Sequence, residues 1–196
     1  ALKNKNVYGT SGPRILLWFN LINSPEGKVP MGSEITMIQN PKFIVKAAGS
    51  FKQKPGCSNE SIDSLSPGRL EYLCAGECYN PSNEREVIER IEIIKITPQI
   101  YAGEAVSPLI QDPWKSIPCQ ENGECVIEFE DENFSRDSVY YVRAIQTPTP
   151  AINGSSLSQR DSFELCKGSF RTDFNDNCLS MANERAWSSP IYVNKP

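Results

Sequence analysis

Six short apolar runs, each bounded by proline, glycine, asparagine or polar breaks, decide most of what this chain can fold into. Arg14-Ile15-Leu16-Leu17-Trp18-Phe19-Asn20-Leu21 lies between Ser11-Gly12-Pro13 and Asn23-Ser24-Pro25, and Phe43–Ala48 follows an Asn40-Pro41 break. Ile91–Ile96 is β-branched and stops at Thr97-Pro98. Cys125–Glu130, Val139–Ile145 and Pro190–Val193 complete the set, with a weaker strand candidate at Glu34–Ile38. Nothing of helical length and period separates these runs, so the pattern predicts an all-β chain folded as an antiparallel β-sandwich. Helix is expected only in the opening residues, in a short turn near Pro67–Leu73, and at Ser82–Val87, where Ser82-x-x-Arg85 lacks the acidic third residue of a capping box.

The sandwich reads as immunoglobulin-like. Asp137-Ser138-Val139-Tyr140-Tyr141 resembles the Asp-x-Ala-x-Tyr stretch that leads into strand F of such domains, where the second tyrosine, Tyr141, would bond back across the corner. Three long insertions interrupt the strands, at 49–87, 97–123 and 147–188, and loops of this length are usually functional or tied down. The cysteines fall in or beside them. Cys57, Cys74 and Cys78 lie in the first, Cys119 and Cys125 flank the end of the second, and Cys166 and Cys178 lie in the third. That distribution suggests one disulfide per insertion: Cys119–Cys125, Cys166–Cys178, and Cys57 with Cys78 in preference to Cys74, leaving one cysteine over. A disulfide framework implies an oxidising compartment, periplasmic or secreted.

The 196 residues contain seven cysteines and no histidine. Without imidazole this chain has no ordinary general base near neutrality and no Ser/His or Cys/His nucleophile pair. Its net charge of −4 and its short basic clusters argue against nucleic acid as a partner, and no apolar run reaches bilayer length. Glu128, Glu130, Asp131 and Glu132 could supply paired carboxylates, although their alternation suits the exposed face of a strand. Trp18, Trp114, Trp187, Tyr101 and Tyr192 could form a sugar-binding platform, although a core would use Trp18 equally well. Cys74-x3-Cys78 with Cys57 could offer thiolates to zinc, but a cysteine-only zinc site normally shows two paired knuckles and this chain has one loose pair. Asp173–Asn177 has oxygen ligands at alternate positions without the glycine and glutamate of a calcium loop. Asn59, Asn133 and Asn153 head glycosylation sequons, which matter only in a eukaryotic secretory pathway. No cofactor or metal is expected in this chain.

Several longer stretches point to a family. They are Ala1–Ile15, Pro30-Met31-Gly32-Ser33, Lys54-Pro55-Gly56-Cys57, Glu77–Ser82, Tyr140–Gln146, Thr149–Asn153 and Glu184–Ile191. Together they resemble the C-terminal part of a bacterial exported family of unknown function. The upstream region of that family resembles metal-dependent hydrolases of the polymerase-and-histidinol-phosphatase type, a distorted β/α barrel with His and Asp metal ligands. The resemblance implies that residues 1–13 are the exit of such a barrel and that residues 14–196 form an accessory β-sandwich partnered by the upstream domain. On that reading the catalytic histidines belong to the upstream region, and only Thr10, Ser11 and Arg14 of this chain would approach the active site.

Overall fold

All six apolar runs become strands. The computed structural model describes residues 1–74, 78–120, 124–152 and 179–196. In chain order the strands are β1 (Tyr8–Thr10), β2 (Leu16–Ser24), β3 (Gly27–Pro30), β4 (Glu34–Thr36), β5 (Lys42–Ala48), β6 (Phe51–Pro55), β7 (Tyr79–Arg85) and β8 (Ile88–Ile96). They continue as β9 (Ile110–Pro118), β10 (Glu124–Glu130), β11 (Ser138–Gln146), β12 (Thr149–Ile152), β13 (Leu179–Ala182), β14 (Arg185–Ser188) and β15 (Ile191–Asn194). Among the described residues helix is limited to α1 (Asn59–Ser64), α2 (Pro67–Cys74) and two 3₁₀ turns. The chain divides into two units. The first comprises Ala1–Ser50, Glu86–Thr147 and Glu184–Pro196, and the second Phe51–Arg85 and Pro148–Asn183.

The first unit is a two-sheet sandwich. One sheet has the antiparallel order β10-β5-β2-β3. Alternation along its strands sends every second side chain inward, and the register aligns these into buried rows: Leu21–Phe43–Phe129, Phe19–Val45–Ile127 and Leu17–Ala47–Cys125. The other sheet runs β9-β8-β11, and the far edge of β11 is shared by β15 along Ser138–Tyr140 and β14 along Arg143–Ile145. The break between β14 and β15 falls at Ser189-Pro190, where proline has no N–H to continue a ladder. Beyond them β14 pairs with β1, and β15 pairs in parallel with β4.

Ile91 and Ile93 of β8, with Tyr140, Val142 and Ala144 of β11, supply the facing layer of the core. Phe43 sits at its centre, 5.4 Å from Phe19, 5.0 Å from Phe129 and 4.8 Å from Tyr140 between ring centroids. These spacings suit offset aromatic contact. Gly49, at the exit of β5, lies so close to the next part of this unit that a Cβ there would collide with the Glu86 carbonyl.

The second unit contains two antiparallel pairs, β6 with β7 and β12 with β13. Between β6 and β7 the chain forms α1 and α2, neither of which buries a residue. The Ser58 hydroxyl caps α1 by accepting from the Ser61 N–H at 3.4 Å. Every residue of β6 is exposed. A disulfide joins Cys57, just after β6, to Cys78, just before β7. Beside it the Gly56 N–H donates to the Cys78 carbonyl at 2.7 Å, and Asn80 Nδ2 donates to the Gly56 carbonyl at 2.7 Å.

Several expectations change. Ser82–Val87 is not helical: Ser82–Arg85 belongs to β7, because pairing with β6 supplies partners that a single polar turn of helix would lack. The stretches expected to be insertions carry regular structure. The first holds β6, α1, α2 and β7, the second β9, and the third includes β12, β13 and β14. In the tyrosine pair it is Tyr140, not Tyr141, that points inward, and its hydroxyl meets a carboxylate rather than the backbone upstream.

Candidate functional site

Three polar side chains occupy inward positions of the sandwich. Lys95 continues the Ile91–Ile93 parity of β8, Asp131 continues Cys125–Ile127–Phe129 just past β10, and Tyr140 lies opposite Lys95 in the β8–β11 register. All three are buried, Asp131 and Tyr140 almost completely. Lys95 Nζ donates to Asp131 Oδ2 in a short ion pair, and Tyr140 Oη donates to the same oxygen at 2.5 Å. The other oxygen, Oδ1, accepts from the Asn133 N–H at 3.2 Å.

Both oxygens of the carboxylate are therefore engaged, which a buried charge requires. The Lys95 ammonium also stands 5.3 Å from the Trp114 ring centroid, and Lys115 stands 4.4 Å from it on a favourable cation–π approach. Burial, followed by the hydrogen bond and the charge of Asp131, pushes the Tyr140 hydroxyl far above its ordinary range. Tyr140 thus stays neutral and serves as a fixed donor. The group works as a lock across the two sheets, with no unengaged base or nucleophile.

A polar cavity of about 210 Å³ opens beside this lock, lined in part by Lys95, Gln111, Ser135 and Arg136. Arg136 pairs with Glu104 at 2.9 Å and donates to the Pro98 carbonyl at 2.7 Å. That hydrogen-bonded pairing holds the Glu104 carboxyl below its usual range, aided by the Ile100 N–H. Both cations at the cavity are already neutralised by carboxylates, so it suits a neutral polar group better than an anion.

The four acidic candidates are not brought to one cleft. Glu128 and Glu130 project from the outer face of β10, where Glu130 pairs with Lys42 at 3.3 Å, while Asp131 turns into the core and Glu132 is exposed. The aromatic candidates are likewise dispersed. Trp18 lies on the outer face of β2 and is 45% exposed, with Lys46 Nζ 5.7 Å from its ring and Val126 next in the same cross-strand row. It is not a core residue, because its parity is opposite to that of Leu17 and Phe19. Trp114 packs against the core, Tyr101 is exposed in a loop, and Trp187 and Tyr192 stand on the outer face of the other sheet.

Thr10, Ser11 and Arg14 are all exposed. Ser11 is tied to its own unit: its hydroxyl donates to Glu184 and accepts from the Arg185 N–H at 2.9 Å. The disulfides Cys57–Cys78 and Cys119–Cys125 are present, and Cys166 and Cys178 lie outside the described residues, as do Asn153 and Asp173–Asn177. Asn59 and Asn133 are exposed. The Cys57, Cys74 and Cys78 sulfurs lie within 4.8 Å of one another. Two of them are joined to each other, so the oxidised cluster does not offer three thiolates to zinc. Among the described residues no helix is long and apolar enough to cross a membrane.

The chain matches no family model. It also matches no curated protein and no solved structure.

Proposed function

We propose that this chain is a non-catalytic accessory module, an immunoglobulin-like β-sandwich attached to an upstream hydrolase-like domain in an exported protein, periplasmic or secreted. The observation that carries the reading is the Lys95–Asp131–Tyr140 lock, whose titratable groups are spent on one another at the centre of the fold. The absence of histidine from the sequence supports it. The strand order supports the immunoglobulin-like part: β2, β5 and β10 share one sheet while β8, β9, β11 and β15 share the other, as strands A, B, E and C, C′, F, G do in such sandwiches. The two disulfides favour an oxidising compartment. Assays of the purified chain with phosphoester and glycoside substrates, with and without divalent metals, test the reading. No turnover above background is expected. Turnover abolished by Asp131→Asn in a variant that still folds would overturn it.

One observation favours a second reading, an autonomous carbohydrate or cell-envelope ligand-binding module. Trp18 presents its ring on an outer sheet face beside Lys46 and Val126, the combination of apolar plate and polar edge that sugars use. A glycan-array screen that finds a ligand lost on Trp18→Ala supports this second reading against the first. No binding across the array counts against it.

A further inference from the structure

The Cys74 thiol, half-buried at the C-terminal end of α2, lies 3.1 Å from the Cys78 sulfur and 3.5 Å from the Cys57 sulfur. It is a free thiol in contact with both atoms of a disulfide. Thiolates attack a disulfide sulfur along the line of the S–S bond, so a third sulfur already within contact distance but beside that bond needs a side-chain rotation, and no chain search, to reach the attacking position.

Two further features bear on the outcome. Cys57 pairs with Cys78 across 21 residues, and the alternative partner Cys74 lies 17 residues away, so closing either loop costs nearly the same entropy. The neighbouring backbone also tolerates the exchange. The hydrogen bonds from the Gly56 N–H to the Cys78 carbonyl and from Asn80 to the Gly56 carbonyl involve no sulfur, so they can persist whichever closure is in place.

We infer that Cys57, Cys74 and Cys78 form a thiol–disulfide exchange site in which the bond migrates among the three sulfurs. Attack of the Cys74 thiolate on Cys78 Sγ forms a Cys74–Cys78 bond and breaks Cys57–Cys78, and the electron pair leaves on Cys57, which takes up a proton from water. Attack on Cys57 Sγ forms Cys57–Cys74 and releases Cys78 in the same way. Each step consumes one thiolate and one disulfide and yields one of each, so no oxidant or reductant is needed. The exchange also presents the thiol of this cluster at different positions, where it can attack an external small or peptide disulfide, forming a mixed disulfide and releasing that molecule's other sulfur as a thiol.

The test is acid quenching of the native oxidised chain, alkylation of the thiol left in this cluster with N-ethylmaleimide under denaturing acid conditions, and peptide mapping by mass spectrometry. Label on Cys78 within about threefold of that on Cys74 is expected from the matched loop lengths. Label on Cys74 exceeding that on both Cys57 and Cys78 by more than about tenfold would contradict the inference. In Cys74→Ser the label on Cys57 and Cys78 should disappear, since their bond can no longer be attacked from within. Label persisting there, or Cys74 found bonded to Cys166 or Cys178 in the native chain, counts equally against it.

Discussion

Strands β5 and β6 are separated by only Gly49 and Ser50, yet they are held in place by different means. In β5, Phe43, Val45, Ala47 and Ala48 are buried, and strands β2 and β10 pair on either side. In β6 every residue is exposed and, among the described residues, pairing is with β7 alone. A lone two-stranded pair without a buried face is marginal in water. The Cys57–Cys78 disulfide, placed where β6 ends and β7 begins, restricts its unfolded alternatives instead. The sandwich is stabilised by apolar burial, the β6–β7 pair by a covalent closure.

The strongest challenge to the first half of this contrast is to empty the core. Phe43→Ala removes the ring shared by Phe19, Phe129 and Tyr140 and should cost the sandwich about 3–5 kcal/mol, read by urea unfolding monitored through tryptophan fluorescence. A loss under about 1 kcal/mol would mean that the stacked core is not what holds β5.

Asp131→Ala leaves Lys95 charged and buried, and a similar loss of about 3–5 kcal/mol is expected in the same assay. The combined variant Lys95→Met, Asp131→Leu, Tyr140→Phe should recover most of it. Recovery would show that the lock matters because its charges must be matched, and failure to recover would assign it net stabilisation.

A smaller effect separates the staples. Cys119 and Cys125 are six residues apart, so replacing both with serine should cost about 2 kcal/mol in a unit that already has a core, and cooperative unfolding should persist. Loss of the cooperative transition would place the sandwich, too, among covalently maintained regions.

The smallest effect concerns pH. The Tyr140 hydroxyl is harder to ionise in the fold than in the unfolded chain, whose value lies near 10. Its contribution is therefore complete below pH 10 and is lost as pH rises further, with a slope of up to about 1.4 kcal/mol per pH unit. Tyr140→Phe should flatten that slope in alkaline unfolding titrations, and an unchanged slope would assign the pH dependence to other groups.

The same contrast explains what could be read from the sequence. The sandwich strands announce themselves because period-two apolar residues face a core, and parity alone places Lys95, Asp131 and Tyr140 inside. The lock escapes notice because a lysine in a β-branched strand is habitually assigned to the solvent side. Strand β9 is masked by Asp112-Pro113, a pair that an edge strand tolerates because one side needs no N–H donor. β6 and β7 carry no apolar period: the sequence offers the Cys57–Cys78 pairing, which marks a closure but not the strands on either side of it. Trp18 shows the reverse: aromatic character suggests a core, and only its parity against Leu17 and Phe19 puts it outside.

Hydrogen exchange on the Cys57→Ser, Cys78→Ser double variant tests the division most directly, comparing amides of β6 and β7 with those of β5, β8 and β11. The account predicts that protection in β6 and β7 falls by about two orders of magnitude, as expected for losing a closure of some 3 kcal/mol, while the sandwich strands keep theirs. Equal loss in both sets, or no loss in β6 and β7, would contradict it.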